Sequence, residues 1–247
     1  MATRLSAALA ACALAAAAAP AAAGTLEKLR GALRALDDSS AIRAELSRSL
    51  TDAMKGDDVR NGTARVVASI DGEGLHMVFP DAQLGQAEAE HAQKDPDQPR
   101  PVSRGLRSID PVDVRALLGY SKRLLADLED ATLVEETASS HDGVPASLIV
   151  LKLPVKLDKG DREHIKDASS VMQIWCGADG LPLALEEHSE FKGRIFLIIG
   201  FEAHESQKMQ FARSGTRLVV LRAENSGGGS GLGESAEHTD VTTVRLL

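Results

Sequence analysis

Apolar and polar positions along the chain change their spacing three times. Leu26, Leu29, Leu33 and Leu36 recur at helical steps and paint one apolar stripe. Asp37-Asp38-Ser39-Ser40 ends that stripe and offers a new N-cap. Ile42, Leu46, Leu50 and Met54, spaced by four, predict a second amphipathic helix that stops at Gly56. Residues 63–70 and 75–79 then predict a strand pair turning at Asp71-Gly72-Glu73-Gly74. From Ala131 onward the pattern predicts strands at 132–138, 146–155, 171–176, 183–190, 193–203, 207–213, 216–223 and 239–246. Turn sequences such as His141-Asp142-Gly143, Ala178-Asp179-Gly180, Lys192-Gly193 and Ser214-Gly215 separate them, and such short connections imply antiparallel neighbours.

Between the two β regions lie a polar segment and a strong helix. Residues 81–109 centre on Lys94-Asp95-Pro96-Asp97-Gln98-Pro99-Arg100-Pro101, a density of prolines and charges that predicts a flexible polar insert with at most a short helix near 87–93. Asp110 then suits an N-cap and Pro111 a first helical turn, and Val114, Leu117, Leu118, Ser121, Leu125 and Leu128 line one face of a helix expected to reach Glu129. Two strand runs, Leu148-Ile149-Val150-Leu151 and Ile195-Phe196-Leu197-Ile198-Ile199, are apolar on both faces, so both faces are expected to be covered. The helices supply one cover. The other is the sheet curling on itself, a partner chain or an apolar ligand. The fold class is therefore α+β: an antiparallel meander curled into an incomplete barrel, with N-terminal helices and a further amphipathic helix packed on it.

The first 23 residues belong to no such element. Arg4 precedes an apolar run from Leu5 to Ala19, Pro20 breaks it, and Ala21-Ala22-Ala23 offers the small residues a signal peptidase requires. Cleavage is expected between Ala23 and Gly24, leaving residues 24–247 as a single domain without a transmembrane segment. The run is too short to span a bilayer, which takes about 20 apolar residues. The alanine-rich leader has a bacterial style, so the product is expected to be periplasmic or secreted. Leu9-Ala10-Ala11-Cys12 is the competing reading, a lipobox whose Cys12 would tether a lipoprotein to the membrane.

Charge narrows the partners. The chain carries 28 Lys+Arg against 36 Asp+Glu, a formal net charge of −8. An acidic surface repels phosphate backbones, which argues against nucleic acid as a partner. Only Cys176 remains beyond the leader, so no internal disulfide can form; its place after Ile174-Trp175 in an apolar strand predicts a buried, inert thiol.

The sequence carries no complete motif for catalysis. Gly228 and Gly233 have phosphate-loop spacing, but Glu234 stands where that loop needs Lys, so 227–233 reads as a flexible loop. The seven histidines show no metalloprotease or finger spacing. His188, Glu190 and His204 form a surface metal site only if their strands are neighbours. Glu135-Glu136 and Glu186-Glu187 each split across two faces of a strand and read as solubilising charges. Catalytic residues, metals and cofactors are therefore assigned to none.

The segment Val171-Met172-Gln173-Ile174-Trp175-Cys176-Gly177-Ala178-Asp179-Gly180-Leu181-Pro182-Leu183, together with the order of elements, resembles the periplasmic lipoprotein-carrier superfamily, which includes lipoprotein-localisation factors and lipid-binding lipoproteins. The resemblance implies an incomplete barrel lidded by helices, with acyl chains held between them. It implies a non-catalytic carrier of lipid or another apolar ligand, for which Ile149, Leu151, Phe196 and Ile198 are the candidate lining. The alternatives are an envelope module that binds a protein partner and no small ligand, and a hydrolase or metal enzyme on an unfamiliar scaffold.

Overall fold

The computed structural model of the chain describes residues 24–54, 58–95, 97–155, 157, 160, 164–195, 199–231 and 234–247. The expected leader, with Cys12 and Ala23, lies outside them, as do Phe196 and Ile198 of the second doubly apolar run.

Helix α1 (Thr25–Arg34) forms on the predicted stripe and buries Leu26, Leu29 and Leu33. Its N-terminus is capped from far along the chain. The Glu136 carboxylate accepts the backbone N–H of Thr25 at 3.2 Å and of Leu26 at 3.0 Å. A negative charge there satisfies otherwise unpaired donors and faces the positive end of the helix dipole.

The expected second helix is a strand, β1 (Ile42–Met54). A spacing of four is shared by the two structures, since four residues are about one helical turn and also two strand repeats. The residues between decide it. Ala44 is fully buried beside Ile42 and Leu46, whereas Arg43 is exposed, so the true period is two. β1 pairs with β2 (Asp58–Asp71), which pairs with β3 (Gly74–Val78).

The segment read as a polar loop contains two helices, α2 (Asp81–His91) and α3 (Pro101–Arg107). Their packing is polar, which is why an apolar stripe did not announce them. Glu90 is 5% exposed, and its carboxylate accepts the N–H of Val102 at 3.1 Å and of Ser103 at 2.7 Å, at the start of α3. The Ser103 hydroxyl donates back to the Ala87 carbonyl. Gly105 then lets α3 sit directly on β2, since a Cβ there would lie 2.1 Å from the Thr63 carbonyl oxygen.

The long helix expected over 110–129 is two. Asp110 caps α4 (Pro111–Leu117) through Val112 and Asp113, as its sequence predicts. The chain then leaves the helix so that Tyr120 N–H can donate to the Leu218 carbonyl at 2.8 Å. Helix α5 (Ser121–Glu129) starts there, its Ser121 hydroxyl donating to Asp38 at 2.9 Å.

Seven strands follow: β4 (Thr132–His141), β5 (Val144–Lys152), β6 (Ile165–Cys176), β7 (Pro182–Ile195), β8 (Ile199–Ser214), β9 (Arg217–Gly231) and β10 (Glu234–Leu246). The sheet order is β3-β2-β1-β10-β9-β8-β7-β6-β5-β4, every neighbour antiparallel. Pairing of β1 with β10 joins the N-terminal strands to the meander, while β3 and β4 remain as open edges. The incomplete antiparallel barrel is thus the observed architecture. Because β3 and β4 lie at opposite edges, the segment joining them must cross a face, and α2 to α5 lie along that crossing.

An expected turn and part of an expected flexible loop are strand interior. Lys192-Gly193 lies within β7, and Gly227 to Gly231 lie within β9, paired on both sides with β8 and β10. Glycine here makes room for neighbours. The Phe201 ring occupies the space over Gly193, and the His238 ring the space over Gly227. The core has two parts. One packs α1 and α5 against β5 to β9; the other packs Val114 and Leu118 against β1, β2 and β9.

Candidate functional site

Strand register arranges the helix-covered face in rows. One row is apolar over five strands: Ile149, Ile174, Leu185, Met209 and Ala223. Two residues further along the strands, the row begins with Leu151 and Met172 and continues as Glu187, Gln207, Asn225 and Asp240. The next runs Ser170, Ser189, Glu205, Gly227 and His238. A sheet face covered by helices is expected to stay apolar, because desolvating polar groups costs free energy. The change from leucine and methionine to glutamate, glutamine and serine therefore marks a place where packing was not the only requirement.

A cavity of about 550 Å³ opens at that change. Its floor is Ser170, Glu187, Ser189 and Gln207; its rim is Leu153, Pro154, Val155, Leu157, Ile165 and Phe191; and Tyr120, Arg123, Ala126 and Asp127 enter from the α5 side. A second hollow of about 330 Å³, with Glu205, Asn225 and His238, shares Arg123, Glu187, Ser189 and Gln207 with it. The volume of the first falls in the range of ligand sites, roughly 300–1,000 Å³.

Electrostatics single out Glu187. Burial pushes its carboxyl above the usual range, and the nearby Asp127 and Glu205 carboxylates add to this. The Ser170 hydroxyl, donating at 2.9 Å, and the Arg123 guanidinium oppose the shift in part. A carboxyl held toward its neutral form can donate as well as accept. Burial likewise pushes the Tyr120 hydroxyl up to about 12, so it is neutral at any physiological pH. Its ring leans on Phe211 at 5.5 Å, and the Arg123 guanidinium lies 5.9 Å from the ring centre.

These groups do not form a hydrolytic triad. Ser189 and His238 share a row but stand on β7 and β10, three strand spacings apart. At about 4.8 Å per spacing their backbones are roughly 14 Å apart, and the His238 ring lies over Gly227 of β9 rather than against Ser189.

The residues expected to carry chemistry are distributed elsewhere. Ile149 and Leu151 are fully buried in the core with Leu29, Leu33, Leu124 and Leu128, beside the cavity rather than among its lining. Phe196 and Ile198 lie outside the described residues, and of the cleavage pair only Gly24 is described, with φ +124 at the start of α1. Cys176 is buried, and burial pushes its thiol up to about 12, which removes a thiolate nucleophile at neutral pH. Glu190 pairs with His204 in register and approaches His188 at 3.4 Å. Even so, among the described residues no group of three or more His, Cys, Asp or Glu is arranged to hold a metal ion. Two carboxylates read as solubilising are structural or buried instead: Glu136 caps α1, and Glu187 lies on the covered face.

The cavity residues were missed because each is an ordinary polar residue in sequence. The available signal was the step Leu185, Glu187, Ser189 along one face of β7, where apolar alternation gives way to polar. Only the register shows that Ser170 and Gln207 make the same change beside it.

No protein-family model matches the chain, and no curated protein matches it. Among solved structures the chain is similar to a LolA-superfamily protein from Nitrosomonas europaea, at 14% identity over 93% of this chain and 96% of that one, with a TM-score of 0.27. It is also similar to the MucA/MucB complex of Pseudomonas aeruginosa, at 12% identity over 90% and 93%, and to MucB in complex with MucA(peri), at 13% over the same shares, both with a TM-score of 0.19. At these TM-scores the likeness carries no argument, and the site is read from its own residues. No helix among the described residues is long and apolar enough to cross a membrane.

Proposed function

We propose that the chain is an exported, non-catalytic binding protein of the carrier type, and that an amphiphile with an acyl or similar apolar body occupies the cavity beneath α5. The observation that carries this reading is the divided lining. Leu153, Pro154, Val155, Leu157, Ile165 and Phe191 offer apolar surface at the rim, while Ser170, Glu187, Ser189 and Gln207 offer hydrogen bonds at the floor. The ligand's polar head is neutral or cationic, since Asp127 and Glu205 outnumber the Arg123 guanidinium there, and Glu187 offers it a hydrogen bond. Export rests on the leader at 1–23. The carrier reading agrees with the sequence resemblance around Trp175, whose turn is formed by Gly177 N–H donating to Leu181 and Gly180 N–H donating to Gly177.

Displacement of a fluorescent fatty amine, with the matching fatty acid as control, tests the reading. Saturable binding of the amine, weakened by replacing Phe191 with Asp, is the expected result. A protein that carries no lipid after purification and binds neither probe contradicts it.

A second reading has one observation of its own. The edge strand β4 bears Leu133 and Val134, 45% and 62% exposed, at a bulge beside an unpaired sheet edge. An extended segment of a protein partner can add to such an edge. A partner lost on Val134→Lys substitution, with the amine site intact, favours it.

A further inference from the structure

A cluster of arginines lies at the other end of the covered face. Arg60, Arg100, Arg104 and Arg107 line a cavity of about 730 Å³ between the start of β2, the segment before α3, and α3 itself. Asp97 is the one carboxylate among its described lining residues. In a chain of formal net charge −8 this is a local reversal of sign.

The arrangement is held in place. Gly105 seats α3 against the Thr63 backbone, and Glu90 secures the first turn of α3 through Val102 and Ser103. Arg104 pairs with Asp52 of β1, whose register partner on β2 is Arg60. Arg100 donates to the carbonyl oxygens of Gln93 at 3.1 Å and Asp95 at 3.5 Å. Its Nε is nevertheless buried without an acceptor among the described residues. Arg107 is exposed and has no carboxylate partner among them. Guanidinium groups gathered on a fixed scaffold repel one another, and a buried N–H without an acceptor is costly. An oxyanion entering the cavity relieves both, because the planar guanidinium fork matches phosphate oxygens in pairs.

We propose that this cavity is an anion site for a phosphate-bearing ligand, separate from the cavity beneath α5. The same chemistry serves a free phosphate compound and a phospholipid headgroup, and the test separates them. Inorganic phosphate is titrated into the whole protein by calorimetry at low and high salt. Flotation with phosphatidylglycerol–phosphatidylcholine vesicles is compared with pure phosphatidylcholine vesicles. The variants are R107Q, which removes an exposed group with no carboxylate partner, and R60Q/R107Q, with circular dichroism confirming the fold.

Phosphate binding that weakens with salt and falls on the order of tenfold or more in R107Q supports the site. Added arginine-dependent flotation with the anionic vesicles assigns it to a headgroup; phosphate binding without flotation assigns it to a soluble phosphate compound. Absence of phosphate binding overturns the proposal, as does undiminished affinity in folded R107Q and R60Q/R107Q. Binding of polyglutamate in place of phosphate overturns it as well, and points to an acidic peptide.

Discussion

Glu90 and Glu187 are both withdrawn from water on the helix-covered side of one sheet, and their carboxyls are pushed in opposite directions. Burial raises both. At Glu90 the N–H groups of Ser103 and Val102, with the Ser103 and Gln86 side chains, together outweigh burial and hold the carboxyl below its ordinary value. At Glu187 the one hydroxyl of Ser170 and the Arg123 charge are too little against burial, Asp127 and Glu205. The difference separates a scaffold from a site. Glu90 is fully answered by the helix it caps, and the arginine cavity stands on that helix. Glu187 is under-answered, and an open cavity lies above it. The same residue type thus marks rigidity at one end of the face and unspent hydrogen-bonding capacity at the other.

The comparison breaks most severely when either roof is removed. Leu124 of α5 is fully buried, and Leu124→Ala is expected to cost about 2–5 kcal/mol, read by denaturant unfolding, with loss of amphiphile binding. At the other roof, Gly105→Ala forces α3 away from Thr63 at a cost of about 1–3 kcal/mol or more, and is expected to impair phosphate binding before amphiphile binding. Parallel loss of both ligands in both variants, at temperatures where each is folded, argues that the two cavities are not separable.

Two smaller effects sharpen the contrast through pH. Glu90 has a lowered folded pKa, so its stabilisation is present above the unfolded value and is lost as pH falls through the folded one. Glu90→Gln is expected to cost about 1–2 kcal/mol at neutral pH and to flatten the acid limb of the stability curve. Glu187 has a raised folded pKa, so its sign is reversed. Its contribution is favourable below the unfolded value of about 4.3 and is lost as pH rises through the folded value. Glu187→Gln is therefore expected to raise Tm slightly at neutral pH, the gain vanishing in acid. Thermal melts of both variants across pH check the two slopes; the same slope in both removes the distinction.

Much of the architecture was legible in the sequence because it depends on local pattern. The α1 stripe, the Asp110-Pro111 helix start and the antiparallel character of the chain after Ala131 appear as the pattern predicts, but the eight expected strands are seven: the one expected over 193–203 is divided between β7, which ends at Ile195, and β8, which begins at Ile199 and also takes in the one expected over 207–213. The errors have physical causes. Ile42 to Met54 satisfied two periods at once, and pairing with β2 and β10 chose the strand. Helices α2 and α3 are held by Glu90 and Gly105, a carboxylate and a missing side chain, neither of which leaves a hydrophobic stripe. Glycines in β7 and β9 looked like turns because the rings that lie over them, Phe201 and His238, come from neighbouring strands. The candidate site was the least legible part. Glu187, Ser170 and Gln207 are three strands' worth of ordinary polar residues until register places them side by side.

The central claim is that the cavity beneath α5 holds an amphiphile whose head meets Glu187. Native mass spectrometry of the protein purified from its native host, alongside Phe191→Asp, tests it most directly. Wild-type protein is expected to carry a small-molecule mass with an acyl body that the variant lacks while keeping the same fold. An empty wild-type protein that also takes up no added fatty amine, or an adduct retained unchanged by Phe191→Asp, contradicts the account.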